Sequence, residues 1–198
     1  MGANAQTSVP AFTAGQVLTA QQQTQINTGI PVFATTTTRD AAFGGTGKKT
    51  LAEGQFAYIE AADTIQYYNG TSWLTVPQFS AATVTTAQTT TSTTYTDLAT
   101  VGPAVTLITG TSVLVQIQTL GSSTVTNRQL TSFAVSGATT VSAGTYVMPA
   151  DITMDGPRVQ SFVVTGLTAG SNTFTMKYKS SDGNTITWSQ RVISVTTL

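Results

Sequence analysis

The chain has 198 residues, of which 8% are charged, with eight basic and eight acidic side chains and a formal net charge of zero. A typical soluble domain is about 25% charged, and the zero balance leaves no diffuse basic field for nucleic acid or an anionic membrane surface. Cysteine and histidine are both absent, which excludes disulfides, thiol nucleophiles, Ser-His-Asp triads and zinc sites of the usual kind, so no cofactor is expected. Few charges and many β-branched residues favour an all-β protein long enough for one sizeable core.

The start, Met1 to Gln6, has neither a basic n-region nor an apolar h-region, and no run reaches the about 18 apolar residues of a membrane helix. The expectation is synthesis in a cytoplasm without signal-peptide export. Residues 1–33 lack a core of their own. Pro10 and Gly15 break an extended arm, and Thr19-Ala-Gln-Gln22 has the form of a capping box ahead of Gln-rich helix formers. One short helix is expected over about residues 20–28, too poor in apolar side chains to hold alone in water. The arm is therefore read as a docking segment, with Phe12, Val17, Leu18, Ile26 and Ile30 as its candidate contacts with a partner surface.

Residues 34–76 read as a small antiparallel β module. Thr35 to Thr38 is a β-branched run, and Gly44-Gly45-Thr46-Gly47 is a loop with Lys48 and Lys49 read as a solvated tip in preference to a phosphate or receptor contact, since no further basic residues cluster nearby. These glycines do not make a phosphate-binding loop: that spacing requires glycine where Ala42 stands and Ser or Thr where Lys49 stands. Three β-rich runs follow, Gln55–Glu60, Thr64–Tyr68 and Ser72–Val76, with Asn69-Gly70-Thr71 as a hairpin signal. Residues 77–91 are Thr-rich and read as a linker, in which extended backbone has little to bury; pairing around a threefold axis is the other reading of this tract.

Residues 92–198 give strand signals near 94–98, 105–107, 112–119, 129–135, 145–148, 158–164, 172–178 and 185–197, with glycine-rich turns between them. Val113, Val115 and Ile117 share one face, as do Phe174, Met176 and Tyr178, with Trp188, Val192 and Val195 alternating near the end. Short periodic strands with almost no helix signal predict a β-sandwich or jelly roll of two four-stranded sheets.

Two stretches resemble known proteins. Arg39, Asp40, Ala41 and Ala42, then Glu53, Gly54, Tyr58 and Ile59, then Asp63, Thr64, Tyr67, Tyr68, Gly70 and Trp73 form a pattern that resembles a module of structural proteins of tailed bacteriophages, especially small fibre, tail and head-decoration proteins. The segment Phe12 to Ala20 resembles the opening of such proteins. Val164 to Lys179, with the terminal Arg191-Val-Ile-Ser-Val195 strand, is similar to jelly-roll knobs of phage structural proteins whose architecture resembles the trimeric tumour-necrosis-factor and C1q heads. What the resemblance implies is a homotrimer with the knobs packed around an axis.

Catalytic candidates are few. A paired-carboxylate glycosidase needs two convergent acids, and the eight carboxylates are Asp40, Glu53, Glu60 and Asp63 in the small module and Asp97, Asp151, Asp155 and Asp182, mostly beside turns. Asp151, Asp155 and Asp182 match no trusted calcium-loop spacing, so no metal site is expected. Tyr67, Tyr68, Trp73 and Trp188 are the candidate glycan-stacking residues, with core or trimer-interface packing as the alternative. The expected protein is a non-enzymatic virion component, docked by its N-terminal part on other capsid or tail proteins and projecting a trimeric knob, with capsid decoration or head fibre preferred. The alternative is a tail-fibre or tail-tip adhesin that recognises a host surface glycan. Neither nucleic acid nor membrane is expected as a partner.

Overall fold

The structure is a computed structural model that describes Val9 and residues 11–27, 29–46, 48–123, 128–151 and 157–198. It is an all-β protein with two short helices, divided into two compact units, Met1–Val76 and Pro77–Leu198.

In the first unit, α1 (Ala20–Asn27) begins where the capping box placed it. The Gln22 amide N–H donates to Thr19 Oγ1 at 3.2 Å and the Thr19 N–H donates to Gln22 Oε1 at 3.0 Å, so each residue satisfies a donor that the first turn leaves open. The chain then forms β1 (Val32–Phe33), α2 (Thr36–Ala41), β2 (Phe56–Ile59), β3 (Thr64–Tyr68) and β4 (Trp73–Thr75). The last three are the expected antiparallel meander, and β1 joins it parallel to β2.

Two features of this unit add to those expectations. The β-branched run at Thr35 to Thr38 is the start of a helix: the Thr38 N–H donates to Thr35 Oγ1 and the Thr35 N–H to Thr38 Oγ1, a reciprocal threonine cap that outweighs the weak strand preference of an isolated run. Residues 1–33, expected to lack a core of their own, lend side chains to the core of the module that follows. Phe33 is fully buried, and Val9 packs beside Phe33, Ala42, Phe43, Ala57 and Ile59. Val9 is held by its own backbone, which donates to Ala42 O at 3.4 Å and accepts from Lys49 N at 3.1 Å. Strands of three to five residues expose too much apolar surface alone, so a piece of the preceding chain closes over them.

The second unit contains β5 (Phe79–Val84), β6 (Gln88–Thr90), β7 (Ala104–Thr109), β8 (Ser112–Ser123), β9 (Arg128–Gly137), β10 (Val147–Asp151), β11 (Pro157–Thr165), β12 (Gly170–Ser180) and β13 (Ile186–Thr197). One sheet has the order β10-β9-β12-β7; the other has the order β11-β8-β13-β5, with β6 also on β13. Nested antiparallel pairs generate both: β5 with β13, β7 with β12, β8 with β11, and β9 with β10. A long double ribbon of such pairs, rolled so that β13 meets β8 and β12 meets β9, is the eight-strand jelly roll.

The Thr-rich tract is therefore no linker: β5 pairs with β13 from Arg191↔Val84 to Thr196↔Phe79, and β6 pairs from Ile186↔Thr90 to Trp188↔Gln88. Ser80, Ala82 and Val84 face inward with Ala82 on the core, and backbone hydrogen bonds to a long neighbour hold strands whose side chains bury little. Conversely, the strand expected at 94–98 is a single bridge, Thr96 to Tyr178. The Ser92 hydroxyl turns onto local backbone, with Oγ donating to Thr94 O at 2.7 Å and accepting from the Thr94 N–H at 3.2 Å, and this competes with a ladder.

The sandwich core follows strand alternation. Val113, Val115 and Ile117 of β8 face Phe174, Met176 and Tyr178 of β12, as their spacing predicts. Beside them Phe133, opposite Met176 in the sheet, stacks on Tyr146, with centroids 5.2 Å apart and 2° between planes, while Phe162 meets both rings edge-on. In β13 the alternation breaks at a bulge between Trp188 and Gln190. Ile186 and Trp188 point inward before it; Arg191, Ile193 and Val195 point inward after it. Val192, expected on the face of Trp188 and Val195, lies outward because one extra residue reverses the parity.

Candidate functional site

In the first unit the motif residues converge. Arg39 leaves α2 and lies over Trp73 of β4, its guanidinium carbon 4.6 Å from the ring centroid. Its Nε donates to Asp40 Oδ1 at 2.9 Å, Nη2 donates to the same oxygen at 2.7 Å, and Nη1 donates to Gln66 Oε1. Trp73 packs in turn on Phe43 at 5.9 Å and on Tyr68 at 5.6 Å. The Arg39 side chain is almost fully buried, and a planar, weakly hydrated guanidinium satisfies such a place on an indole face better than lysine would. Tyr58 Oη donates to Asp63 Oδ1, which raises the tyrosine above its ordinary value. Asp63 holds a left-handed backbone, φ 49°, where β2 turns into β3.

A cavity of about 360 Å³ lies beside this cluster, lined by Ile30, Lys49, Glu53, Gln55 and Phe56 among others. Lys49 Nζ donates to Gln55 Oε1 at 2.7 Å, and the ring of Phe56, 44% exposed, lies 6.3 Å from Tyr67. Sequence reasoning did not single out Lys49, Gln55 and Phe56 as neighbours, since a loop and a strand bring them together.

Of the candidate docking residues, Phe12, Val17, Leu18 and Ile30 are exposed, Val17 at 88%. The side chain of Ile26 lies outside the described residues. Tyr67, Tyr68 and Trp73 are half-buried, and each touches another aromatic ring. Trp188 is corrected as a candidate for stacking on a sugar: it is fully buried between the sheets, its Nε1 donating to Thr131 Oγ1 at 3.1 Å and its ring edge-on to Tyr178 at 5.3 Å.

The second unit has an unexpected centre at Arg191, fully buried between the sheets. Nη1 donates to the carbonyls of Thr100 at 3.3 Å and Gly102 at 3.2 Å; Nη2 donates to Thr86 O at 3.3 Å and Gln88 Oε1 at 3.0 Å. The guanidinium lies 5.3 Å from the centroid of Tyr178, whose hydroxyl also donates to Gly102 O at 2.7 Å. Burial pushes the Tyr178 phenol well above its ordinary value, against the opposing pull of Arg191. The cation is thus solvated by backbone and amide oxygens.

Asp97 and Asp182 occupy structural places. Asp97 accepts two hydrogen bonds from Lys177 Nζ, each 2.7 Å. Asp182 braces its own turn, and the N–H of Asn184 donating to it holds its carboxyl below the usual range. The side chain of Asp151 and all of Asp155 lie outside the described residues. Among the described residues no three metal-ligating side chains cluster, and no helix is long and apolar enough to cross a membrane.

No protein-family model matches the chain, and no curated protein matches it. Among solved structures, one described as the structure of infectious bursal disease virus Gx strain is similar to it at 12% identity and a TM-score of 0.38, over 67% of this chain and 38% of that one. The chain thus spans well under half the length of that neighbour.

Proposed function

We propose that this chain is a non-enzymatic structural component of a tailed-phage particle, attached through residues 1–76 and projecting the jelly roll of residues 77–198 as a homotrimeric decoration or fibre. The observation that carries the reading is the convergence of the resembling residues: Arg39, Asp40, Ala42, Tyr68 and Trp73 build one packed cluster in a unit separate from the sandwich. The motif is therefore a folding signature of an adaptor-sized module. The exposed Phe12, Val17 and Leu18 suit an arm that gains order on a preformed surface, where the partner offsets the entropy of ordering. Attachment to the head is favoured over the tail, because these residues carry no long fibrous repeat.

Immunogold labelling of purified particles with antibody against the sandwich tests the proposal. Label over the head supports capsid decoration, label confined to the tail supports a tail fibre, and particles free of label refute the virion role.

A second reading, a glycan-binding adhesin, is favoured by the cavity where the Phe56 ring stands beside Lys49, Glu53 and Gln55, an apolar face flanked by polar groups. It predicts binding of the full chain to cell-envelope glycans, abolished by Phe56→Ala. Equal binding by the variant, or none by the wild type, removes it.

A further inference from the structure

The two outer faces of the sandwich differ in charge. On the sheet β10-β9-β12-β7, Arg128, Lys177 and Lys179 occupy outward positions, with Asp97 on Lys177. On the sheet β11-β8-β13-β5, no outward position is charged. Its strands contain two charged residues, both of inward parity: Arg191 is buried, and Arg158 pairs opposite the buried Thr119 and alternates in step with Phe162 and Val164.

Register orders this neutral face into rows across the sheet. Phe79, Thr196, Leu114 and Val163 form one row. Ala81, Ser194, Gln116 and Ser161 form the next, where Gln116 Nε2 donates to Ser161 Oγ at 3.2 Å. Thr83, Val192, Gln118 and Val159 form the third. A polar row thus runs between two rows bearing apolar side chains. Phe79 is 66%, Val163 60% and Val159 53% exposed, the last two on edge strand β11. Edge strands that meet only water are ordinarily protected by outward charge, and β11 has none. With about 4.8 Å between strands and about 3.3 Å per residue, the face is about 19 Å by 30 Å. With side-chain relief added, it approaches the about 800 Å² per partner of a standard interface.

We propose that this neutral face of the sandwich is where a second copy of the same chain docks. The choice of occupant follows from charge and symmetry. A nucleic acid or charged lipid surface finds no counter-charge there. In a closed homo-oligomer the residues near the axis meet their own copies, so a charge would oppose its like, whereas hydroxyls and amides donate and accept equally and apolar side chains pack on themselves. The neutral face meets that condition; the face carrying Lys177 and Lys179 does not. This inference rests on the self-associating reading above and assigns it a surface.

Sedimentation velocity of the full chain tests it. Wild type is expected to associate at micromolar concentration, Val159→Asp/Val163→Asp to lose association at least tenfold, and Ser136→Glu, a charge at an exposed outward site of the other sheet, to associate as wild type. The absence of cysteine allows a second measurement: a single Ser161→Cys is expected to react with maleimide more slowly as protein concentration rises, and Ser136→Cys at a constant rate. Monomeric wild type overturns both the inference and the self-association beneath it. Association that survives the double substitution, with Ser161→Cys labelling independent of concentration, overturns the inference alone and moves the contact elsewhere.

Discussion

Replacing Arg191 with methionine keeps an unbranched apolar stem against Tyr178 and removes every guanidinium hydrogen bond. Two of the four acceptors keep another donor: Gln88 Oε1 accepts from the Thr100 N–H at 3.1 Å, and Gly102 O accepts from Tyr178 Oη at 2.7 Å. The loss falls on the carbonyls of Thr86 and Thr100, at about 1–3 kcal/mol for each acceptor left without a partner. Two terms reduce the total. Both residues are exposed, so water reaches part of this edge, and removing a buried cation relieves its desolvation. The expected net loss is about 2–3 kcal/mol, or about 10 °C in Tm for a unit of this size. The assay is direct because the two tryptophans divide between the units, Trp73 in the first and Trp188 in the second. In a Trp73→Phe background, Trp188 fluorescence during urea unfolding reports the sandwich alone. Stability of Arg191→Met within about 0.5 kcal/mol of its parent would refute the reasoning, since surface-like substitutions cost no more than that.

Three further outcomes follow from the same structure. Because the folded-state pKa of Tyr178 is raised, its contribution to stability is complete below the unfolded-state pKa near 10 and is lost as pH rises toward the folded value, by about 1.4 kcal/mol per pH unit; alkaline unfolding followed by circular dichroism should be less steep for Tyr178→Phe. Gly137 has φ +105°, and a Cβ there would sit 2.3 Å from the backbone oxygen of Ser171, so Gly137→Ala should cost about 3 kcal/mol in urea unfolding through strain and forced strand separation. Arg39→Ala should destabilise the first unit by about 1–2 kcal/mol, by lost stacking on Trp73 and the lost bond to Gln66, and should shift Trp73 fluorescence without altering that of Trp188.

The sequence by itself determined what depends on neighbours along the chain. Period-two alternation in Val113–Ile117 and Phe174–Tyr178 specified which side chains are buried, since a strand can place them on only two faces. The Thr19–Gln22 cap set the start of α1, and the runs Gln55–Glu60, Thr64–Tyr68 and Ser72–Val76 set the meander, because caps and turns are short-range chemistry. Composition excluded whole classes of chemistry, and in the structure Asp40, Asp97 and Asp63 brace an arginine, a lysine and a tyrosine while Asp182 braces its own turn.

What the tertiary structure alone decided is everything set by pairing over long separations. The Thr-rich tract became strands β5 and β6 only because β13, far later in the chain, offers them a ladder. Trp188 left the candidate surface for the core, and a one-residue bulge after it turned Val192 outward and Arg191 inward; no local pattern announces such an insertion. The cavity at Lys49, Gln55 and Phe56 and the uncharged outer face of the sandwich likewise exist only once strand order is fixed. In the sequence Lys49 is legible only as a loop-tip charge and Val192 only as part of an alternating run; loop closure brings the first to its cavity and strand register brings the second to its face.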